Sequence, residues 1–343
     1  MKMKFVGLHR FLLAVAAAAL LTVSCKKDDD AQYDYMSGSL EFDFPTYVVV
    51  GQVIETRVSG IVSPAGVSYF WYSPDLDISE SDTVYSQDLK VTIPKDPGNY
   101  SLTAYARKDG YYSTTKTIDI KAIDPKDGLV GWLESNEKFT DPRDGQVYHV
   151  RDYGSLTWFV QNLRYAGDGI GCAYENSDEI GNIFGRLYSW NDATGGNSGS
   201  GLGGGPQGVC PEGWSIPTKE DWEDFAKAIS GEDLSFDDHW NGLGDIASAP
   251  VRLNDEAMWP YSPDNTHRNS TGWNAIPVGN STNSYEDFEN IAVYGMWWSS
   301  YLDDAGMGHY RYIYYNSDTF DTYYTDRDSY GVSVRCVKLK TNK

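Results

Sequence analysis

Between Gly38 and Ala122 the chain is written in short alternating runs, and alternation of period two admits strands with one buried face and little else. Val67, Tyr69 and Trp71 alternate with Ser68, Phe70 and Tyr72. Tyr100, Leu102, Ala104 and Ala106 alternate with Ser101, Thr103, Tyr105 and Arg107, and Ile118 and Ile120 mark a third run. Turn signals separate them at Pro64-Ala-Gly66, Pro94-Lys-Asp-Pro-Gly98 and Lys108-Asp-Gly110. The pattern predicts a small antiparallel β-sandwich over residues 38–122, with Trp71 as its core aromatic. Residues 123–128, Ile-Asp-Pro-Lys-Asp-Gly, then read as a linker.

The second half is built differently. Ten of the 11 Trp lie at or after Trp132. A Gly-rich stretch over residues 193–208 lacks the Lys-Ser/Thr ending of a phosphate-binding loop and reads as a mobile insertion. A helix follows: Thr218 is its N-cap, Asp221 completes a capping-box variant, and Trp222, Phe225, Ala226 and Ile229 form one apolar face. Glu220, Asp221 and Glu223 stand in its first turn, where carboxylates stabilise the helix dipole, so they are read as helix stabilisers rather than catalysts. The C-terminus predicts a β-meander. Tyr310, Tyr312 and Tyr314 share one face, the chain turns at Asn316-Ser-Asp318, and Phe320, Thr322 and Tyr324 return.

The N-terminus is an address. Lys2, Lys4 and Arg10 precede an apolar run over residues 11–21, about half the ~20 residues that span a bilayer, which defines a secretory signal over residues 1–24. Leu-Thr-Val-Ser-Cys25 resembles a lipobox, with Thr22 in place of the usual Leu; the resemblance implies a lipid on Cys25. Residues 25–37 form an acidic tether, and Lys26-Lys-Asp-Asp-Asp30 is similar to the export signal of Bacteroidota lipoproteins. It implies an outer-membrane lipoprotein exposed at the cell surface, anchored by acyl chains. Loss of the signal leaves 25 basic against 49 acidic residues, a balance of −24, and so acidic a chain repels nucleic acid.

Two family resemblances follow from ordered motifs. Residues 97–106, Pro-Gly-Asn-Tyr-Ser-Leu-Thr-Ala-Tyr-Ala, resemble the penultimate strands of PKD and other immunoglobulin-like modules of the kind without a cysteine pair, which implies a spacer. The stretches 139–148, 156–163, 185–190 and 210–222, then Thr271-Gly-Trp-Asn-Ala-Ile-Pro-Val-Gly279, Trp297-Trp-Ser-Ser300 and Tyr330-Gly-Val-Ser-Val-Arg-Cys336, resemble the Fibrobacter succinogenes major paralogous domain. It covers residues 129–343 here. That family is similar in turn to the C-type-lectin-like fold, which implies an α+β domain with a twisted antiparallel sheet and long loops. It also implies a Cys210–Cys336 disulfide, with Cys172–Cys210 as the alternative.

Chemistry is sparse. The mature histidines show no HExxH spacing, and no redox cysteine motif of a sulfatase-modifying enzyme is present. Trp190-Asn-Asp192 matches letters of calcium-dependent lectins at the wrong place in the chain. Calcium remains possible through Asp237, Asp238, Asp264, Asn265 and Asp287, and no pair of carboxylates is singled out for glycoside hydrolysis. Trp222, Trp273, Trp297 and Trp298 read as core, whereas Trp240, Trp259, Tyr261, Tyr285, Tyr301, Tyr315 and Tyr323 are the ligand-binding candidates. The expectation is a non-catalytic cell-surface lipoprotein that binds glycan or protein through its lectin-like domain. The alternatives are a structural component of the envelope and, behind it, a carbohydrate-active enzyme.

Overall fold

A computed structural model describes residues 33–340 apart from 77, 79–82, 126–127 and 168. The expected signal peptide, Cys25 and most of the tether lie outside the described residues. The molecule is mostly β-sheet with few, short helices.

The N-terminal part contains strands β1 (Tyr47–Val49), β2 (Ser68–Tyr72), β3 (Gly98–Arg107) and β4 (Thr114–Ile123). They form a sheet in the order β1-β4-β3-β2, extended past β2 by Thr83–Val84, with β1 parallel to β4 and the rest antiparallel. Two strand pairs, Val53–Arg57 with Asp88–Thr92 and Ser37–Glu41 with Ser59–Ser63, supply further layers. The alternation in the sequence does what period two requires: Leu102, Ala104, Ala106 and Ile120 turn inward onto a wholly buried Trp71.

This sheet does not end in a free linker. Ile123, expected to open one, is the last residue of β4 and is buried with Tyr47 in the core of the second part, where Tyr47 packs edge-on against Tyr174 and Phe184. Polar contacts close the junction. The Glu175 carboxylate accepts the backbone N–H groups of Thr46 (2.9 Å) and Tyr47 (2.8 Å). Asn254 Nδ2 donates to the Ala122 carbonyl at 2.6 Å, and Lys121 pairs with Glu256 at 3.2 Å. The module expected as a spacer is thus docked on its neighbour.

The C-terminal part holds two larger sheets and a short hairpin of Arg252–Leu253 with Glu256–Ala257. In one, Lys138–Thr140, β5 (Val147–Tyr153), β6 (Leu156–Phe159) and the last strand of the chain lie antiparallel. The other contains β7 (Arg186–Ser189), β8 (Tyr294–Leu302), β9 (Gly308–Tyr314), β10 (Asp321–Thr325) and β11 (Gly331–Ser333), in the order β7-β11-β8-β9-β10. The terminal run does not form one strand: β12 (Val337–Leu339) leaves the second sheet to pair with β6 in the first. The break falls at Val334-Arg335-Cys336, whose carbonyls still receive Leu163 N and Phe159 N at 2.9 Å.

Helix α1 (Lys219–Ser230) starts on Thr218 with both halves of the capping box made to Asp221. It lays Trp222, Phe225 and Ala226 onto Trp158 and Trp273. The Gly-rich stretch, expected to be a mobile insertion, is folded against this helix. Gly201 N donates to Glu220 at 2.9 Å, Gly203 N donates to Asp221 at 2.6 Å, and Thr218 Oγ1 donates to the Gly201 carbonyl at 3.1 Å. Glycine is needed there because a Cβ at Gly205 or Gly208 would collide with the carbonyls of Ile216 or Ala193. Cys210 and Cys336 form a disulfide across 126 residues, and Cys172, the alternative partner, is a buried free thiol that burial pushes up to about 12.

Candidate functional site

Strand β9 sorts its side chains by parity. Arg311 and Ile313 point into the core shared with α1, and Tyr310, Tyr312 and Tyr314 point to the opposite face. Cross-strand register then gathers aromatics on that outer face: Met296 and Tyr294 of β8 lie opposite Tyr312 and Tyr314, and Tyr323 of β10 lies opposite Tyr310. Tyr330, at the turn into β11, stacks on Tyr310 with ring centroids 6.1 Å apart. The result is a groove of about 370 Å³ lined by Asn290, Tyr294, Met296, Tyr310, Tyr312, Tyr323 and Tyr330.

The groove is wet at its rim and dry at its floor. Tyr323 is 56% exposed while Tyr310 is 6% exposed. Burial raises the phenols of Tyr310 and Tyr312 above their ordinary range and pushes Tyr330 up to about 12, so at neutral pH they are uncharged O–H donors. Among the described residues, no hydrogen bond uses the hydroxyls of Tyr294, Tyr312 or Tyr323. No Asp, Glu, His, Lys or Arg lines the groove. It can stack and hydrogen-bond.

A second concavity, about 220 Å³, lies where the two parts of the chain meet, with Leu129, Trp132, Ile183, Asn162, Asn274 and Arg335 among its lining residues. Its polar floor is already committed. Asn162 donates to the Phe184 carbonyl (3.0 Å) and Ser333 Oγ (3.1 Å), and accepts from Trp297 Nε1 (2.8 Å) and Arg335 Nε (3.1 Å). Arg335 is wholly buried without a carboxylate among the described residues. It donates to the carbonyls of Trp273 and Asn274, and its guanidinium lies 3.9 Å over the Trp273 ring. Desolvation pulls it down to about 9. This is a structural hub, and nothing in the local pattern marks it beyond the motif in which it sits.

The expected ligand residues scatter. Trp240 and Trp259 are corrected to core: Trp240 is wholly buried under the Arg311 guanidinium at 3.3 Å, and Trp259 is stacked on His267 at 4.7 Å. Both are apolar surface that strand and loop packing removed from water. Tyr285 is also committed, its hydroxyl accepting Ser189 N at 2.6 Å and donating to Asp192. Tyr301 lies under the Lys219 ammonium at 3.8 Å, and Tyr315 packs edge-on against Tyr314. Tyr261 is 91% exposed and stands apart. Tyr323 alone of the seven lines the groove. Sequence reasoning did not single out Met296 and Tyr330 for ligand binding, because Met296 reaches the groove through cross-strand register and Tyr330 from the turn into β11.

The expected calcium residues do not converge either. Asp237 pairs with Lys219 (3.0 Å) and Asp238 accepts Ser235 N (2.8 Å). Asn265 is buried, bonded to the Ser317 carbonyl and to His267 N, whereas Asp264 and Asp287 are exposed. Among the described residues, no group of three or more His, Cys, Asp or Glu side chains is placed to hold a metal ion. No helix among them is long and apolar enough to cross a membrane.

A family model described as the Fibrobacter succinogenes major domain matches residues 128–338, which is most of the chain and all of the groove. The chain belongs to that family. Its ordered motifs now have places: the Fibrobacter succinogenes major domain contributes the capped helix α1, the disulfide and the broken terminal strand that buries Arg335. Among solved structures, a cohesin module from a family 33 glycoside hydrolase of Clostridium perfringens is similar at 13% identity and a TM-score of 0.19, over 25% of this chain and 97% of that one. No curated protein matches the chain.

Proposed function

We propose that this protein is a non-catalytic surface lipoprotein whose C-terminal domain binds glycan through the tyrosine groove, with Cys25 as its lipid-bearing residue at the outer membrane. The observation that carries the reading is the groove itself. Phenol faces stack on the apolar faces of sugar rings while their hydroxyls, and the amide of Asn290, meet sugar hydroxyls. A lining of phenols, one amide and one thioether, with no carboxylate, imidazole or basic group among the described residues, favours binding over turnover. A capped helix on largely antiparallel sheets, with Cys210 before the helix bonded to Cys336 near the last strand, also supports a C-type-lectin-like relationship.

Calcium has no part in this reading. The groove offers one amide oxygen and phenols, a poor donor set for a hard cation that takes carboxylates. A glycan array probed with the full chain, with and without EDTA, tests the proposal. The expected result is binding to a restricted set of glycans that EDTA does not abolish and that Tyr323→Ala weakens. An array with no bound glycan would remove it. The lipid is tested separately, by incorporation of labelled palmitate that Cys25→Ser abolishes.

A further inference from the structure

We infer that the groove, on the reading of it as a glycan site, selects sugars that carry a protonated amine over neutral and acidic ones. Three observations converge. Tyrosine rings surround the space from three strands and a turn, with Tyr310 at the centre, 6.2 Å from Tyr312 and 6.3 Å from Tyr323 between ring centroids. The negative faces of such rings attract an ammonium group.

Two carboxylates neighbour residues of the groove lining. Asp321 lies directly across the ladder from Tyr312, and Glu289 immediately precedes the lining residue Asn290. Their charges reach the ring hydroxyls, Asp321 acting on Tyr312 and Glu289 on Tyr330. Glu289 has no ion pair among the described residues, whereas Asp321, opposite Tyr312 in the ladder, is hydrogen-bonded to His239 (2.7 Å) and to Thr319 (2.8 Å).

Cationic competition is weak at the site. Among the described residues no Lys or Arg lines the groove, and Arg311, whose charge opposes that of Asp321 at Tyr312, is on the inner face of β9, where the carbonyls of Phe236, Asp238 and Phe320 and the Trp240 ring hold it. A chain with formal net charge −21 adds a field of the same sign as the two carboxylates. A uronic acid or sulfated sugar meets repulsion here, a neutral sugar gains stacking alone, and a glucosamine gains stacking plus the cation–π and carboxylate attraction.

The probes are glucosamine hexamer and its fully N-acetylated counterpart, titrated into the full chain by calorimetry below neutral pH, where the amines are protonated. The expected result is that the free-amine hexamer binds about tenfold more tightly and loses affinity with added salt. Glu289→Gln should weaken it about threefold while leaving the acetylated hexamer unchanged, and Tyr323→Ala should weaken both. Equal or tighter binding of the acetylated hexamer overturns the charge selection and leaves the glycan reading standing. Binding of neither hexamer overturns the selection, and a silent glycan array alongside it overturns the glycan reading too. Glu289→Gln binding that matches wild type for the amine form overturns the role of the carboxylate.

Discussion

The two faces of strand β9 set one strategy against another. Inward, Arg311 is sealed among backbone carbonyls and the Trp240 ring, and the neighbouring core is a mesh of Trp158, Trp222, Trp273, Trp297, Phe225 and Phe320. Outward, Tyr310, Tyr312 and Tyr323 keep their faces toward a groove. The indoles inside have accepted the cost of burial: the N–H groups of Trp158, Trp222, Trp259 and Trp273 have no partner, whereas those of Trp240 and Trp297 each donate to an oxygen. The phenols outside retain hydrogen-bonding capacity. The difference teaches that an aromatic-rich domain is not an aromatic-rich surface: what marks a recognition site is polar capacity left over after folding.

Breaking the inner face should cost the most. Trp273→Ala should destabilise the chain by about 3–5 kcal/mol, since it opens a cavity beneath Arg335 and beside α1. Chemical denaturation checks this, and a loss below ~1 kcal/mol would mean that the aromatic mesh is not the core. Reducing the Cys210–Cys336 bond, which closes 126 residues, should come next at roughly 2–5 kcal/mol, measured by melting with and without reductant.

A smaller effect sits at His267, whose Nδ1–H donates to Ser248 Oγ at 2.9 Å and whose Nε2 is buried without a partner. Burial lowers it from 6.5 to about 4. The unfolded chain therefore binds the extra proton first, so this residue's contribution is full above pH 6.5 and is lost as pH falls toward about 4. The loss should reach roughly 2 kcal/mol after allowance for partial solvent screening. His267→Gln should flatten that part of the stability–pH curve; a variant with the wild-type slope would contradict the assignment.

The outer face should behave in the opposite sense. Tyr323→Ala should change stability by less than ~0.5 kcal/mol, because the residue is largely exposed, while weakening ligand about tenfold. A large drop in melting temperature would erase the contrast between the faces.

How far the sequence carries such a distinction depends on range. Local patterns are legible: the alternation ending on Trp71, the Thr218–Asp221 capping box and the tyrosine parity of β9 all follow from neighbours a few residues apart. What escaped is long-range. Glu175 meets Thr46 and Tyr47 across 129 and 128 residues, and Arg335 meets Asn162 across 173. No local pattern encodes either contact. Trp240 and Tyr323 look equally like ligand residues in one dimension, and only the ladder shows that one faces Phe320 and Arg311 while the other faces the groove. The Gly-rich stretch misled for a related reason, because glycine serves close backbone packing as well as mobility.

The central claim is that ligand is met by the tyrosines of the outer face and not by the tryptophans of the inner one. The most direct measurement is aromatic NMR of the full chain titrated with the glucosamine hexamer. The account predicts shifts confined to the rings of Tyr294, Tyr310, Tyr312, Tyr323 and Tyr330, with the indole N–H signals of Trp240, Trp273 and Trp297 unmoved. Shifts centred on Trp132 and the junction cleft, with the groove tyrosines silent, would contradict it.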